Sequence, residues 1–290
     1  MTGAVTDLQQ PQTGAEPAEG APTVPSATVV ADSVSPDGVR VTTIEVTLHR
    51  FVLAELNTHR VFSRNSASSR AIPIGKQIAR VETDPAMPVE FGANQRGMQA
   101  GAPLEGEEEK AAIDAWLRAR DAAVDAVRVL DDLGVHKQVA NRILEPFMWH
   151  TVIVTATDWD GFWHQRCSPL AQPEIRVAAE AMREAFDAST PRAMAAGEWH
   201  TPYVRDDELD LDDRTKRRIS AARCARVSYL THDGRRDLSA DEELYQRLVT
   251  ADPPHWSPLE HVATPAVDGE AVLGNLRGWH QLRHCLDSAG

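Results

Sequence analysis

No apolar run in this chain approaches membrane-spanning length, so no transmembrane helix is expected. Cysteine is scarce: Cys167, Cys224 and Cys285 have no close-paired spacing, which argues against both a disulfide framework and a zinc-thiolate site. The eleven histidines show no His-Glu-x-x-His or similar metal spacing, so no metal site is expected. No Gly-x-Gly-x-x-Gly follows a strand-like segment, which leaves a Rossmann dinucleotide site without support. Positive charge is in deficit, with 30 Lys and Arg against 43 Asp and Glu and a net charge of −13. Wholesale nucleic-acid binding is therefore not expected, and any anion site must be a local basic pocket in an acidic protein. Residues 1–28 are rich in Ala, Thr, Pro, Gly and Gln and lack a basic n-region and an apolar h-region. They read as a disordered tail and not a signal peptide, consistent with a soluble cytoplasmic protein. At 290 residues the chain can bury a large core in one elaborate domain or two, and one domain over 29–290 is expected.

Strand-like segments at Val29–Asp32 and Val39–Leu48 flank Ser35-Pro36-Asp37-Gly38, whose Pro-Asp-Gly carries direct turn chemistry. Phe51–Asn57 fits a helix or a continuation of the strand, and a helix is favoured; Ala71–Val81 reads as a short amphipathic helix. Residues 83–106, with three prolines and four glycines, read as a long loop. Within it Phe91–Gln99 is either a ligand cover or a plain surface excursion. Alanines, Trp116, Val127 and Leu130 at helical spacing predict a helix over Glu107–Leu133, stopped by Gly134. Further helices are expected at Val135–Leu144, from an Asp158 cap to Arg166, at Gln172–Ala188 and at Ala240–Ala251. Trp149–Thr157, Arg217–Tyr229 and Val262–Thr264 look extended, and Asp206–Asp213 looks like a solvated acidic run. Helices separated from a few long strands indicate an α+β fold, an antiparallel or mixed sheet with flanking helices.

The densest polar stretch is Thr58-His59-Arg60-Val61-Phe62-Ser63-Arg64-Asn65-Ser66-Ala67-Ser68-Ser69-Arg70, directly after the apolar-rich Phe51–Leu56. Arginine grips phosphate or carboxylate in two-point fashion and serine hydroxyls fill remaining acceptor sites, so an anion site is one reading. A solvated basic turn is the other, and the apolar runs on both sides favour a place inside a fold. The stretch resembles the signature Arg-His-Arg-x-x-Ser-x-Asn-Glu-x-Ser-x-Arg of the flavin-dependent thymidylate synthases. Here His59, Arg60, Ser63, Asn65, Ser68 and Arg70 match, Thr58 stands at the first arginine, and Ser66 replaces the acidic residue. A second block resembles the family in order: Asn141–Pro146, Trp149–Thr157, Phe162–Arg166 and Ala171–Ile175. A third, Ala221–Tyr229 with His255-Trp256-Ser257-Pro258-Leu259-Glu260-His261, is similar to the family's opening segment and its Ser-Pro-Phe-Glu-His flavin-contact motif.

That third block normally comes first, so the order looks like a circular permutation, as in phage-type members of the family. The resemblance implies FAD-dependent methylation of dUMP at C5 with methylenetetrahydrofolate and NADPH, in a homotetramer whose site is shared between subunits. It implies that Ser68 and Arg70 bind the nucleotide phosphate, that Arg166 faces the uracil ring, and that Arg142, Glu55 and Ser66 complete the substrate site. His59, Arg60, Ser63 and His261 would hold FAD, with Arg283 supplying the charge missing at Thr58; outside this setting His261 would read as an ordinary core or surface histidine. Cys167 reads as a small helix-end residue and not a nucleophile. Two rivals stay open: a related transfer of another one-carbon group, such as hydroxymethyl, or to another pyrimidine nucleotide, and a non-catalytic nucleotide-binding module.

Overall fold

The computed structural model describes residues 24–227, 237–267 and 272–287. Strands β1 (Ser26–Val34) and β2 (Arg40–His49) form an antiparallel hairpin, with Gly38 at φ +80° in the turn between them. That turn favours glycine because a Cβ is strained in the left-handed region. β1 begins at Ser26, so 26–28 belong to the sheet and not to a tail; residues 1–23 lie outside the described residues. Strands β3 (Ser63–Ser66), β4 (Trp149–Ala156) and β5 (Arg192–Ala193) complete a five-stranded sheet of order β3-β4-β2-β1-β5. Every pair is antiparallel except β1–β5, which makes the sheet mixed. Helices flank it, as an α+β reading requires.

The β2–β4 ladder has two chemically distinct faces. Ile44, Val46 and Leu48 with Val152, Val154 and Ala156 point to one side and bury against Phe162, Trp163, Ile175, Ala178, Ala179 and Met182. Those partners come from helices α5 (Asp160–Arg166) and α6 (Pro173–Ala188). The opposite face carries Thr43 and Thr155, whose hydroxyls lie 2.7 Å apart. Alternation of side chains along a strand produces this division.

Between β2 and β3 lies helix α1 (Leu53–Asn57); α2 (Ile74–Thr83) follows the Arg/Ser stretch. Residues 84–105 form a long loop anchored where His49 Nε2 meets Met87 O at 2.7 Å and Glu174 accepts from Val89 N at 3.0 Å. Asn94–Ala100 at its tip are exposed. Helix α3 (Gly106–Asp132) ends at Gly134, φ +74°, whose N–H reaches Asp131 O at 2.8 Å. The expected helix at Val135–Leu144 is instead a four-residue α4 (Lys137–Ala140) followed by a 3₁₀ segment, Asn141–Phe147. Pro146 inside that segment has no N–H and disfavours helical backbone before it. Asp158 is not the cap of α5; Trp159 holds that position, and the Asp158 carboxylate stands 3.9 Å from Arg277.

The expectation of an extended Arg217–Tyr229 is overturned: Asp213–Arg226 is helix α7, packed on α8 (Leu238–Thr250). Ser228 and Tyr229 lie outside the described residues. Residues 219–225 bury along the second half of α7, Ala221, Ala222 and Ala225 against Leu244, Tyr245 and Leu248 of α8, and charge adds further contacts. Arg223 donates to both carboxylate oxygens of Glu208 and to Asp241, and Arg226 donates to Asp241 as well. Glu208 is therefore buried, although its acidic neighbourhood reads as solvated. Strands β6 (Ala263–Pro265) and β7 (Trp279–Gln281) form a second small sheet, and α9 (Leu282–Asp287) follows. The segment around Trp279 lies beside β2, with Trp279 Nε1 3.2 Å from Val39 O, yet β7 pairs with β6 and does not extend β2. Among the described residues, no helix is long and apolar enough to cross a membrane.

Removing one member of a buried ion network leaves the others uncompensated, at about 3–5 kcal/mol. Arg223→Ala is accordingly expected to destabilise the chain by that amount in a urea titration, whereas Arg128→Ala, on the surface of α3, changes the midpoint little. Equal midpoints for the two variants would contradict a part for Arg223 in α7 packing.

Candidate active site

Helix α1 is only five residues long, and its Glu55 and Leu56 carbonyls accept from the N–H groups of Thr58 and His59 at 3.3 and 3.2 Å. Two arginines add further donors at this helix end. Arg166, from the end of α5, donates through Nη2 to Glu55 O at 3.2 Å and Thr58 Oγ1 at 3.0 Å, and through Nε to His59 Nε2 at 3.0 Å. Arg64, from β3, donates to Leu56 O at 3.3 Å and His59 O at 3.0 Å. Because His59 Nε2 accepts, its ring is neutral in this arrangement. Burial first, then the Arg166 and Arg64 charges, lower its pKa to about 4. Arg166 Nη1 is left without a hydrogen bond among the described residues, and Arg60 and Arg70 are exposed and make no ion pair there. Glu55 Oε2 is buried without a partner among the described residues.

A second cluster lies at the 3₁₀ segment after α4. One oxygen of Glu145 accepts from Arg142 at 2.7 Å, Ser69 at 2.9 Å and Arg50 at 3.2 Å. Asn141 Nδ2 donates to Ser69 O at 2.8 Å and Ile72 O at 3.0 Å, which pins the turn carrying Ser68 and Arg70. Ser66 ends β3, and Ala67 N bonds Thr151 O at 3.0 Å, so the motif is tied to the sheet on one side and to this cluster on the other. Thus Ser69, between Ser68 and Arg70, shares with Arg142 the carboxylate oxygen that holds this turn.

The late segment Ser257–Glu260 docks on β3. Ser257 Oγ lies 3.4 Å from Asn65 Oδ1, across 192 residues of sequence, and Asn65 Nδ2 donates to Cys224 O at 2.7 Å. Ser63 is buried, its hydroxyl taken by Gln281 Nε2 at 2.9 Å and Asn275 Nδ2 at 3.1 Å, so it faces protein and not an open site. Arg283 ion-pairs with Glu260 and lies over the Trp256 ring at 6.0 Å. The guanidinium that meets Thr58 and His59 is that of Arg166, not Arg283. His261 is fully buried; Nδ1 bonds Thr155 Oγ1 at 2.8 Å and Nε2 has no partner among the described residues.

The structure therefore brings Glu55, His59 and Arg166 together, ties the turn of Ser68 and Arg70 to Arg142 through Ser69 and Glu145, and sets Ser63 on β3 with His261 and Arg283 in the late segments packed against the sheet. Arg64, Glu145, Arg50 and Asn275 were not singled out from sequence. Glu145 carried a usable signal, since it stands three residues after Arg142 and such spacing pairs side chains along a helical turn. Arg64 lay at an unspecified position of the signature and carried none.

With this geometry in hand, comparison with known families is informative. A family model described as "thymidylate synthase complementing protein" matches residues 35–192, more than half the chain. The chain belongs to this family. The match holds the Arg/Ser stretch, the Arg142–Glu145 cluster and Arg166; the docked 257–261 segment lies beyond it. Two solved structures are among those the chain is similar to, both of a UMP/dUMP methylase PolB from Streptomyces cacaoi. The one with 5-Br UMP is 18% identical, TM-score 0.48, over 57% of this chain and 89% of that one. The one with 5-Br dUMP is 16% identical, TM-score 0.45, over 57% and 90%. No curated protein matches the sequence.

Burial fixes the protonation of three histidines on the sheet. His150, His200 and His261 are each held down to a pKa of about 3, first by desolvation, from an ordinary value of 6.5. A depressed folded pKa means the stabilisation is complete above pH 6.5 and is lost as pH falls toward 3. The loss approaches about 1.4 kcal/mol per pH unit for each histidine inside that window. The urea midpoint is expected to drop between pH 7 and pH 4.5, and His150→Gln to show a shallower drop. The His59 resonances should titrate at higher pH in Arg166→Gln than in the wild type. A pH-independent midpoint, or an unmoved His59, would contradict these charge assignments.

Proposed function

We propose that this family member methylates dUMP at C5, with FAD as cofactor and methylenetetrahydrofolate and NADPH as co-substrates. The observation that carries the proposal is the convergence of His59, Arg64 and Arg166 at the end of α1, together with a separate basic turn in which Ser69, between Ser68 and Arg70, is tied to Arg142 through Glu145. Family membership supports the reaction class. Two basic groups at different points suit a nucleotide, which presents an anionic phosphate at one end and a polarisable ring at the other.

In this reading Ser68 and Arg70 grip the phosphate, with Arg142 oriented by Glu145 as a further cation. Arg166 is held by three hydrogen bonds, to Glu55 in α1 and to Thr58 and His59 just after it, and its uncommitted Nη1 offers a donor to the uracil carbonyl system. A donor fixed before the reaction stabilises negative charge on that system as C5 becomes nucleophilic. Neutral His59 keeps the cluster from accumulating a further positive charge.

The residues present also fit a flavin: exposed Arg60 offers a cation to its phosphates, and the orphaned His261 Nε2 offers a buried polar contact. When bound, that group supplies hydride and one-carbon transfer, so no protein nucleophile is needed. Assembly as a homotetramer, with sites shared between subunits, and a circularly permuted block order belong to the same proposal. The proximity of Trp279 to Val39 supports the permuted order.

Incubation with dUMP, methylenetetrahydrofolate, FAD and NADPH, followed by mass spectrometry, is expected to give a methylated product. A hydroxymethylated product, or reaction of a different pyrimidine nucleotide only, would redirect the proposal to the related transfer. A colourless protein that binds no added FAD would end it. Arg70→Ala and Arg166→Ala are each expected to weaken dUMP binding by about 1.5–3 kcal/mol in calorimetry, the loss typical of a hydrogen bond to a charged group. Unchanged affinity in both would remove them from the site.

A further inference from the structure

Behind the candidate site, a chain of buried side chains crosses the hydroxyl face of the sheet. Ser33 Oγ meets His200 Nδ1 at 2.8 Å, and His200 Nε2 meets Thr43 Oγ1 at 2.8 Å. Thr43 Oγ1 meets Thr155 Oγ1 at 2.7 Å, and Thr155 Oγ1 meets His261 Nδ1 at 2.8 Å. All five residues are at most 4% exposed. The two histidines are also tied through their segments, since His200 and Ala263 exchange backbone hydrogen bonds at 2.7 and 3.2 Å. We infer that Ser33, His200, Thr43 and Thr155 are positioning residues, a one-way relay that fixes the His261 proton on Nε2 and so makes this buried ring a hydrogen-bond donor.

Proton counting carries the inference. Each neutral imidazole has one N–H and each hydroxyl one O–H, so five protons serve four hydrogen bonds. Because a hydroxyl oxygen can accept twice, four arrangements make all four bonds. In one of them Ser33 donates to His200, His200 Nε2 to Thr43, Thr43 to Thr155 and Thr155 to His261 Nδ1, which places the His261 proton on Nε2. In the other three His261 Nδ1 donates, and the O–H of Ser33, Thr43 or Thr155 is left unused. The first arrangement leaves one group unmet, the N–H at Nε2. Each of the others leaves two, a buried hydroxyl O–H and the Nε2 lone pair, and unmet buried polar groups are strongly disfavoured. Desolvation keeps both rings neutral, as the count requires.

The orphaned Nε2 then has a defined chemical preference: it takes an acceptor atom, such as a carbonyl oxygen, a ring nitrogen or a phosphate oxygen. A donor-only ligand atom is excluded. Ser33 lies four hydrogen bonds from His261 and still decides its tautomer.

The full chain labelled with ¹⁵N-histidine reports the tautomer directly through long-range ¹H–¹⁵N correlation, with His261 assigned by its loss in His261→Gln. Wild-type protein is expected to carry the proton on Nε2. Without the Ser33 hydroxyl, either direction leaves two unmet groups, so Ser33→Ala should shift His261 toward a mixture of both tautomers. Thr155→Val, which removes the neighbouring hydroxyl with little change of shape, should do the same. A wild-type proton on Nδ1 would overturn the relay, as would an unchanged His261 tautomer in both variants. Adding FAD to the wild-type sample tests the separate flavin assignment. Unmoved His261 resonances would end that assignment while the tautomer result stands.

Discussion

The pairing of β2 with β4, from Thr42 opposite Ala156 to His49 opposite Trp149, is the constraint on which the rest of the structure depends. One register places aliphatic side chains against α5 and α6 and hydroxyls against the opposite layer. A slip of one residue would exchange the two faces, burying threonines in the apolar core and aiming valines at His200 and His261. The same ladder fixes where β3 can attach, since β3 pairs with β4, and β3 carries the Arg/Ser stretch. Core and site therefore share one register.

The strands and helices with clear periodicity were legible in the sequence, and the elements governed by charge were not. β2 and β4 have β-branched runs, and α3 has an apolar stripe closed by Gly134. α7 has neither; Ala, Cys and Ser bury along its second half, and its docking is written in part in Arg223, Glu208 and Asp241, which come from three separate segments. A buried ion network has no one-dimensional period. Hence an acidic run that reads as solvated contains a buried glutamate. The 3₁₀ segment at 141–147 failed for a local reason, because Pro146 interrupts a pattern that otherwise looks helical.

The candidate site was legible through its signature residues and not through their supports. His59, Arg70 and Arg166 match a family pattern, while Glu145, Asn141 and Arg64 do the positioning. In a chain of net charge −13, the arginines here are held by carbonyls and one carboxylate, so their charge is concentrated locally. His261 shows the reverse problem. Its motif suggested a ligand-facing ring, yet the ring is enclosed in protein, with Nε2 lacking a partner among the described residues. Ser33 and His200, which reach it through two threonines, lie in segments with no motif, and only the folded sheet reveals the connection.

Thr58, where the family signature has arginine, illustrates how a departure is absorbed. Its hydroxyl accepts from Arg166 Nη2 at 3.0 Å and donates to Glu55 O at 2.7 Å, so both of its hydrogen-bonding roles are filled. An arginine in that place would set a second guanidinium against Arg166, with His59 already pressed to its neutral form by the charges of Arg166 and Arg64. Like charges at such separation repel, and the α1 carbonyls that hold Arg166 could not serve both groups. Threonine removes the repulsion, caps the helix end and leaves Arg166 as the fixed cation at that position. The substitution and the geometry of Arg166 are thus one arrangement, and restoring arginine at position 58 would disturb the group it was expected to assist.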